Sequence, residues 1–246
     1  MSHQSEMSAT QSACQSNPAS NTRGVVMKWI IKSFAGILLV GVILFIPSGT
    51  LNWIMGWAYV GTLMLVTVVS AVLVDPDLLA ERDLRKHKNV KRWDIILLTI
   101  YGVLSVVAIP TIAGLNVRYQ WLPKIPLWLQ IVAMFLNALG WSLHIWAMVA
   151  NKFHAKVVRI QSDRGQTVVT DGPYQYVRHP GYVGGIILNL ASPIMLGSLW
   201  GLIPGVLGAL LFIIRTVLED RMLLAELDGY KEYAQRVCYR LLPGIW

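Results

Sequence analysis

Residues 170–185 read T-D-G-P-Y-Q-Y-V-R-H-P-G-Y-V-G-G, a dense cluster of turn residues, aromatics and ionisable groups between apolar runs. Asp171-Gly172-Pro173 predicts a turn, because glycine tolerates positive φ and proline fixes its own φ. Arg178 sets a permanent cation beside the titratable His179, and Pro180 restricts His179 to an extended backbone. Gly181, Gly184 and Gly185 permit close backbone approach where the next apolar segment begins. Arg178 and His179 are thus expected on constrained backbone at a membrane edge, a setting suited to gripping a polar ligand. The plainer alternative is a basic, turn-rich loop between two membrane helices.

The surrounding chain is apolar. Of its 246 residues, 55% are hydrophobic and 14% charged, and the mean hydropathy is +0.53. Soluble domains carry about a quarter charged residues. Several apolar runs here approach or exceed the roughly 20 residues that cross a bilayer. The fold class is therefore all-α, a multi-pass transmembrane helical bundle of five to six membrane segments. Four helices are predicted at 26–47, 51–74, 95–115 and 128–150, with Pro110 kinking the third. A hairpin over 182–196 and 200–218 follows, its first arm short and interrupted by Pro193. If that arm does not span, the count drops from six to five.

Residues 1–25 form a polar tail expected to be disordered, residues 26–150 the four-helix unit, and residues 151–246 the catalytic region. Segment 75–94, with Arg82, Arg85, Lys86, Lys88, Lys91, Arg92 and five acids, reads as a solvated cytoplasmic loop by the positive-inside rule. Residues 151–179 return to the same side, with Val168-Val169 a short extended piece. The net charge of +8 belongs mainly to these flanks, where it sets topology and meets membrane lipids. There is no nucleic-acid motif and no sign of an obligate protein partner. The two cysteines, Cys14 and Cys238, have no metal-ligand spacing, and no metal site is expected.

In the fourth helix Asn137, Trp141, His144 and Asn151 fall close to one face, either as helix–helix hydrogen bonding or as one wall of a site. In the last apolar run Arg215 and Glu219 are four apart, either a structural ion pair or a functional charge inside the membrane. Beyond it Leu223, Leu227, Tyr230, Ala234 and Val237 form an apolar stripe broken at Asp228-Gly229, a surface segment suited to closing over the loop. No phosphate-gripping glycine loop, zinc helix or serine elbow is present. What remains is a cytoplasmic-face site able to hold a polar cofactor while a lipophilic substrate enters from the bilayer.

G-P-Y-Q-Y-V-R-H-P-G-Y-V-G from Gly172, R-x-x-x-E-D from Arg215, Y-x-x-Y from Tyr230 and R-L-L-P-G from Arg240 occur in that order. This constellation resembles the isoprenylcysteine carboxyl methyltransferase and phospholipid methyltransferase superfamily, and R-I-Q-S-D-R-G from Arg159 resembles the isoprenylcysteine branch. The likeness covers about the last hundred residues. It implies S-adenosylmethionine as cofactor and an integral membrane enzyme with its site facing the cytoplasm, in the plasma or inner membrane of a prokaryote or the endoplasmic reticulum of a eukaryote. Carried over, His179 contacts the cofactor's methionine part, supported by Tyr174, Pro180, Tyr182 and Gly184. Glu219 serves the cofactor or the reaction, Arg215 holds the acceptor, and Tyr230, Tyr233, Arg240 and Pro243 shape the cofactor pocket. Two positions depart from the family pattern: Asp220 replaces a second glutamate, and Asp228 stands where the family has an aromatic.

The implied acceptor is the carboxylate of an isoprenylcysteine-like lipid. Phospholipid amines and thiols are alternatives and would need a base, for which Glu219 or His179 are candidates. Membrane sterol and steroid reductases carry a similar R-H-P loop with a nicotinamide cofactor, NADPH, and a non-catalytic transporter or scaffold is the third reading.

Overall fold

The computed structural model describes residues 18–81 and 90–246. Of the expectations above, residues 1–17 with Cys14, and Arg82, Arg85, Lys86 and Lys88, lie outside that set. The described residues are helical and contain no strand. They run as α1 (Pro18–Ser48), α2 (Ile54–Leu73), α3 (Pro76–Glu81), α4 (Arg92–Gly102), a π-helical segment (Val103–Ala108), α5 (Ile109–Tyr119), α6 (Leu127–Ala150), α7 (Pro180–Met195), α8 (Leu202–Glu226) and α9 (Tyr230–Arg236).

Among the described residues, five stretches are long and apolar enough to cross a membrane: Val26–Ser48, Ile54–Leu73, Arg92–Tyr119, Leu127–Ala150 and Leu202–Glu226. Their outward side chains, such as Leu38, Ile54 and Val72, stay exposed, as lipid-facing residues must when the solvent is hydrocarbon. The short arm α7 is not among them. Its 16 residues rise about 24 Å, less than the roughly 30 Å hydrocarbon core. Its far end nevertheless meets the end of α5, where Asn116 Nδ2 donates to Gly197 O at 3.3 Å.

Two boundaries differ from expectation. The first helix is already present at Pro18, the first described residue, so residues 18–25 are helical; extending an existing helix carries no nucleation cost. The third span is continuous across Pro110, with the π segment just before it. Widening the turn there accommodates the missing N–H and the ring of Pro110, and lets Ser105 Oγ donate to Asn189 Oδ1 at 2.8 Å. A second correction concerns 75–94. Leu78 and Leu79 of α3 are buried with Val74, Ile145 and Met148, and Asp94 is fully buried in the first turn of α4. The segment therefore contributes to the core at both ends.

The α6–α7 pair makes the most extensive helix contact. At its centre Gly140 faces Gly184: a Cβ on Gly184 would stand 2.5 Å from Gly140 O and 3.1 Å from His144 N. Asn137 Nδ2 donates to Ser192 Oγ at 2.9 Å one turn further along. Small residues and a polar clasp are what bring helices together where no hydrophobic drive exists between them.

Candidate active site

The turn at 171–175 forms as predicted. Gly172 takes φ +59° and starts a short 3-10 helix, Gly172–Gln175, packed on Ala150 and Trp146 of α6. The chain then runs beside its own tail: Arg178 N donates to Tyr239 O at 2.9 Å and His179 N to Arg240 O at 3.0 Å. Pro180 opens α7. Gly229, at φ +78°, breaks the helix after Glu226 so that α9 folds back. The apolar stripe of the tail joins a core of Val158, Met222, Leu223, Tyr230 and Tyr233, against which Leu227 and Val237 pack.

Asp220 is the hub of this arrangement. Its carboxylate is fully buried and receives Arg178 Nε at 2.9 Å and Nη2 at 3.0 Å, Tyr230 Oη at 2.9 Å and Arg240 Nε at 2.8 Å. His179 Nε2 lies 3.4 Å from the same carboxylate. Arg178 Nη1 also donates to the carbonyls of Val237 and Ala234. One anion thus ties the loop, α8 and the tail together. The shortened acid that departs from the family pattern is a structural centre, and the sequence reading did not identify it as one.

Arg215 and Glu219 do not pair with each other. Arg215 Nε and Nη2 donate to Asp94 at 2.7 and 3.2 Å, and Nη2 donates to Lys156 O at 2.8 Å. Glu219 accepts the Tyr182 hydroxyl. Tyr182 lies between the two charges, its ring centroid 5.2 Å from the Arg215 guanidinium carbon. Nε and Nη2 of Arg215 are thus engaged, and its guanidinium lies beneath the Tyr182 ring.

Between the loop, α8, α9 and segment 151–169 lies a narrow, partly enclosed cleft of about 90 Å³, below the roughly 300–1,000 Å³ of drug-sized ligand pockets. Tyr174, His179, Tyr182, Glu219, Tyr230 and Tyr233 line it, so six of the predicted site residues converge. Five do not line it, Arg215 beneath Tyr182 among them. Pro180 starts α7, Gly184 is the α6–α7 contact, Arg240 reaches Asp220 and stacks on Trp246 at 5.2 Å, and Pro243 is exposed. The opposite wall comes from Phe153, His154, Val158, Arg159 and Val168, residues whose aperiodic, mixed sequence carried no site signal beyond the Arg159 motif. Of the α6 face, Asn151 reaches the cleft, while His144 Nδ1 lies 3.3 Å from Gly181 O in the helix contact.

The cleft is aromatic, and Glu219 lines it together with Arg159 and Arg178, which are held by Asp163 and Asp220 respectively. His179 stacks on Tyr182, with centroids 5.5 Å apart and planes at 11°. Burial pushes the phenols of Tyr174, Tyr230 and Tyr233 above their ordinary range, so they act as neutral donors. Tyr233 Oη donates to Tyr174 O at 2.8 Å. At the rim, Asp163 is held below the usual carboxyl range by its hydrogen bond from Arg159 at 2.7 Å. Such walls suit a planar aromatic ligand that also bears positive charge.

Residues 131–225 match the model of the isoprenylcysteine carboxyl methyltransferase (ICMT) family. The match takes in most of α6 and stops before α9, so it begins earlier than the sequence motifs and leaves Tyr230, Tyr233, Arg240 and Pro243 outside it. The chain is similar to protein-S-isoprenylcysteine O-methyltransferase of Schizosaccharomyces pombe, 31% identical over 111 residues, covering 44% of this chain and 47% of that protein. It is also similar to protein-S-isoprenylcysteine O-methyltransferase B of Arabidopsis thaliana, 27% identical over 113 residues, covering 45% and 57%. The chain thus matches about half the length of these curated relatives. The fold is shared with a solved eukaryotic intramembrane Ras methyltransferase, ICMT, at a TM-score of 0.50 and 17% identity, over 94% of this chain and 88% of that one. The family match, the curated relatives and the shared membrane architecture together support the isoprenylcysteine carboxyl methyltransferase superfamily for this chain.

Proposed function

We propose that the protein is an integral membrane methyltransferase that takes a methyl group from S-adenosylmethionine and places it on the carboxylate of an isoprenylcysteine-like lipid, with the cleft opening to the cytoplasm. The observation that carries this reading is the aromatic cleft with Glu219 on its wall, at the start of the short helix α7. Its chemistry fits the donor, since aromatic faces and a carboxylate favour a sulfonium cation, and a purine ring stacks on phenol and imidazole faces. When bound, this cofactor supplies a methyl group activated by the positive sulfur.

Tyr182, His179, Tyr230 and Tyr233 would hold it, and Glu219, oriented by the Tyr182 hydroxyl, would balance its charge. The packed tail excludes water, which strengthens these contacts. A carboxylate acceptor is already ionised, so no residue has to remove a proton; the chain's task is alignment. Arg215, paired with Asp94, would fix the position of Tyr182 above it and so of Glu219. Charge supports the sidedness: the segments around the cleft carry Lys152, Lys156, Arg159, Arg164 and Arg178, whereas the far loop at 116–126 carries Arg118 and Lys124.

The test is transfer of labelled methyl from S-adenosylmethionine to a farnesylated cysteine with a free carboxylate, using folded protein in detergent. Base-labile label on the acceptor, absent when the carboxylate is pre-esterified, is expected. Binding of NADPH with no binding of S-adenosylmethionine would overturn the reading, and transfer to a phospholipid amine or a thiol would move the acceptor.

A further inference from the structure

Asp94 does not itself line the cleft, and the motif residue it bonds is Arg215. It lies outside the region that matches the family model. Its carboxylate is nevertheless fully buried and receives three donors from two other elements: Arg215 Nε at 2.7 Å, Arg215 Nη2 at 3.2 Å and Val158 N at 2.7 Å. Val158 is part of the cleft wall, and Lys91 N donates back to Val158 O at 3.4 Å. Lys91 Nζ also reaches Glu226 at 2.8 Å. The first turn of α4 is thus pinned to the wall on one side and to α8 on the other.

The consequence lies with Glu219. Arg215 and Glu219 are four apart on α8, within reach of each other on one helix face. A guanidinium buried at 7% exposure requires a counter-charge. Asp94 provides it, which leaves Glu219 hydrogen-bonded to Tyr182 on the cleft wall. Without the Asp94 charge, the nearest replacement anion for Arg215 is Glu219, and a pair between them would withdraw the carboxylate from the cleft.

We infer that Asp94 is a positioning residue that keeps Glu219 available to a cationic ligand by neutralising Arg215. The inference rests on the methyl-donor reading above. Asp94→Asn, which retains size and loses charge, should weaken S-adenosylmethionine binding by about tenfold, the scale of one charge-assisted contact. S-adenosylhomocysteine has the same groups and a neutral sulfur, so its affinity should fall much less. In the double variant Asp94→Asn with Arg215→Gln, nothing pulls Glu219 away, and the preference for the sulfonium ligand should return.

Calorimetric titration of both ligands into wild type and the two variants, each shown folded by a cooperative melt, decides it. Equal weakening of both ligands in Asp94→Asn would mean a merely structural role and overturn the inference, as would unchanged binding. If the single variant fails to fold, the double variant decides alone: a retained sulfonium preference supports the inference and its loss overturns it. Failure of wild type to bind either ligand would instead reject the methyl-donor reading and this inference with it.

Discussion

Arg178 and Asp220 meet fork to fork, Nε donating to Oδ1 at 2.9 Å and Nη2 to Oδ2 at 3.0 Å. Both are buried, and the pair carries Tyr230 and Arg240 with it. The loop that begins α7 and the tail that follows α8 are therefore held by one carboxylate. Asp220→Asn leaves Arg178 buried without its anion, a change that costs about 3–5 kcal/mol in comparable pairs. A clearly lowered melting temperature in detergent is expected, together with faster proteolysis after residue 226. An unchanged melt would show that water or lipid replaces the carboxylate. Arg178→Lys should behave almost as badly, because an ammonium cannot make the planar two-point contact.

Gly184 separates packing from ligand contact. Its motif neighbourhood implied a cofactor role, yet its missing Cβ is what lets α7 reach Gly140 and His144. Gly184→Ala should force α6 and α7 apart at a cost of about 1–3 kcal/mol. Gly41→Ala on α1 meets nothing within 4 Å and should leave the melt unchanged. A comparison of the two melting curves checks both expectations, and equal behaviour would argue against the helix contact described.

How legible all this was from sequence depends on how local the cause is. The spans were legible because hydrocarbon forces every backbone group into a helix, and the run lengths follow. The breaks at Gly172 and Gly229 were legible because each needs a positive φ. The convergence of Tyr174, His179, Tyr182, Glu219, Tyr230 and Tyr233 is what the family resemblance of these motifs implies, and the cleft brings them together. The i,i+4 spacing offers Glu219 as one possible partner of Arg215, whereas Arg215 pairs with Asp94, 121 positions away, in a segment that reads as solvated charge. Asp94 did stand at the edge of an apolar run, which was the available clue. The wall at 153–168 has neither period nor motif, so tertiary contacts alone assign it to the cleft.

The buried phenols predict how the protein fails in alkali. Tyr174, Tyr230 and Tyr233 have folded-state pKa values raised above the ordinary 10.0 by burial first of all. In that case the folded form keeps protons that the unfolded form releases. Their contribution is fully present below pH 10 and is lost as pH rises from there toward the folded values. Phenolate absorbance from these three should appear together with loss of helix signal, with no gradual titration before it. Tyr233→Phe should shift that alkaline transition upward relative to its own neutral-pH stability, which falls by about 1 kcal/mol for the lost bond to Tyr174 O. A smooth titration of these tyrosines in the folded protein would contradict the burial.

Tyr182 joins three functions that substitution can separate. Its ring stacks on His179, its face lies over Arg215, and its hydroxyl holds Glu219. Tyr182→Phe keeps the first two and frees Glu219, so binding of a cationic donor should weaken by roughly ten- to a hundredfold, the range of a hydrogen bond to a charged group. Glu219→Gln keeps an acceptor for the hydroxyl and removes the charge, so it should impair S-adenosylmethionine more than S-adenosylhomocysteine. His179→Ala removes the stacking face and one neighbour of Asp220, and should impair both ligands alike. Competition binding with the two ligands reads all three variants on one scale. If Glu219→Gln lowered both affinities equally, the carboxylate would be a shape element of the cleft, and its proposed charge balance with the donor would have to be abandoned.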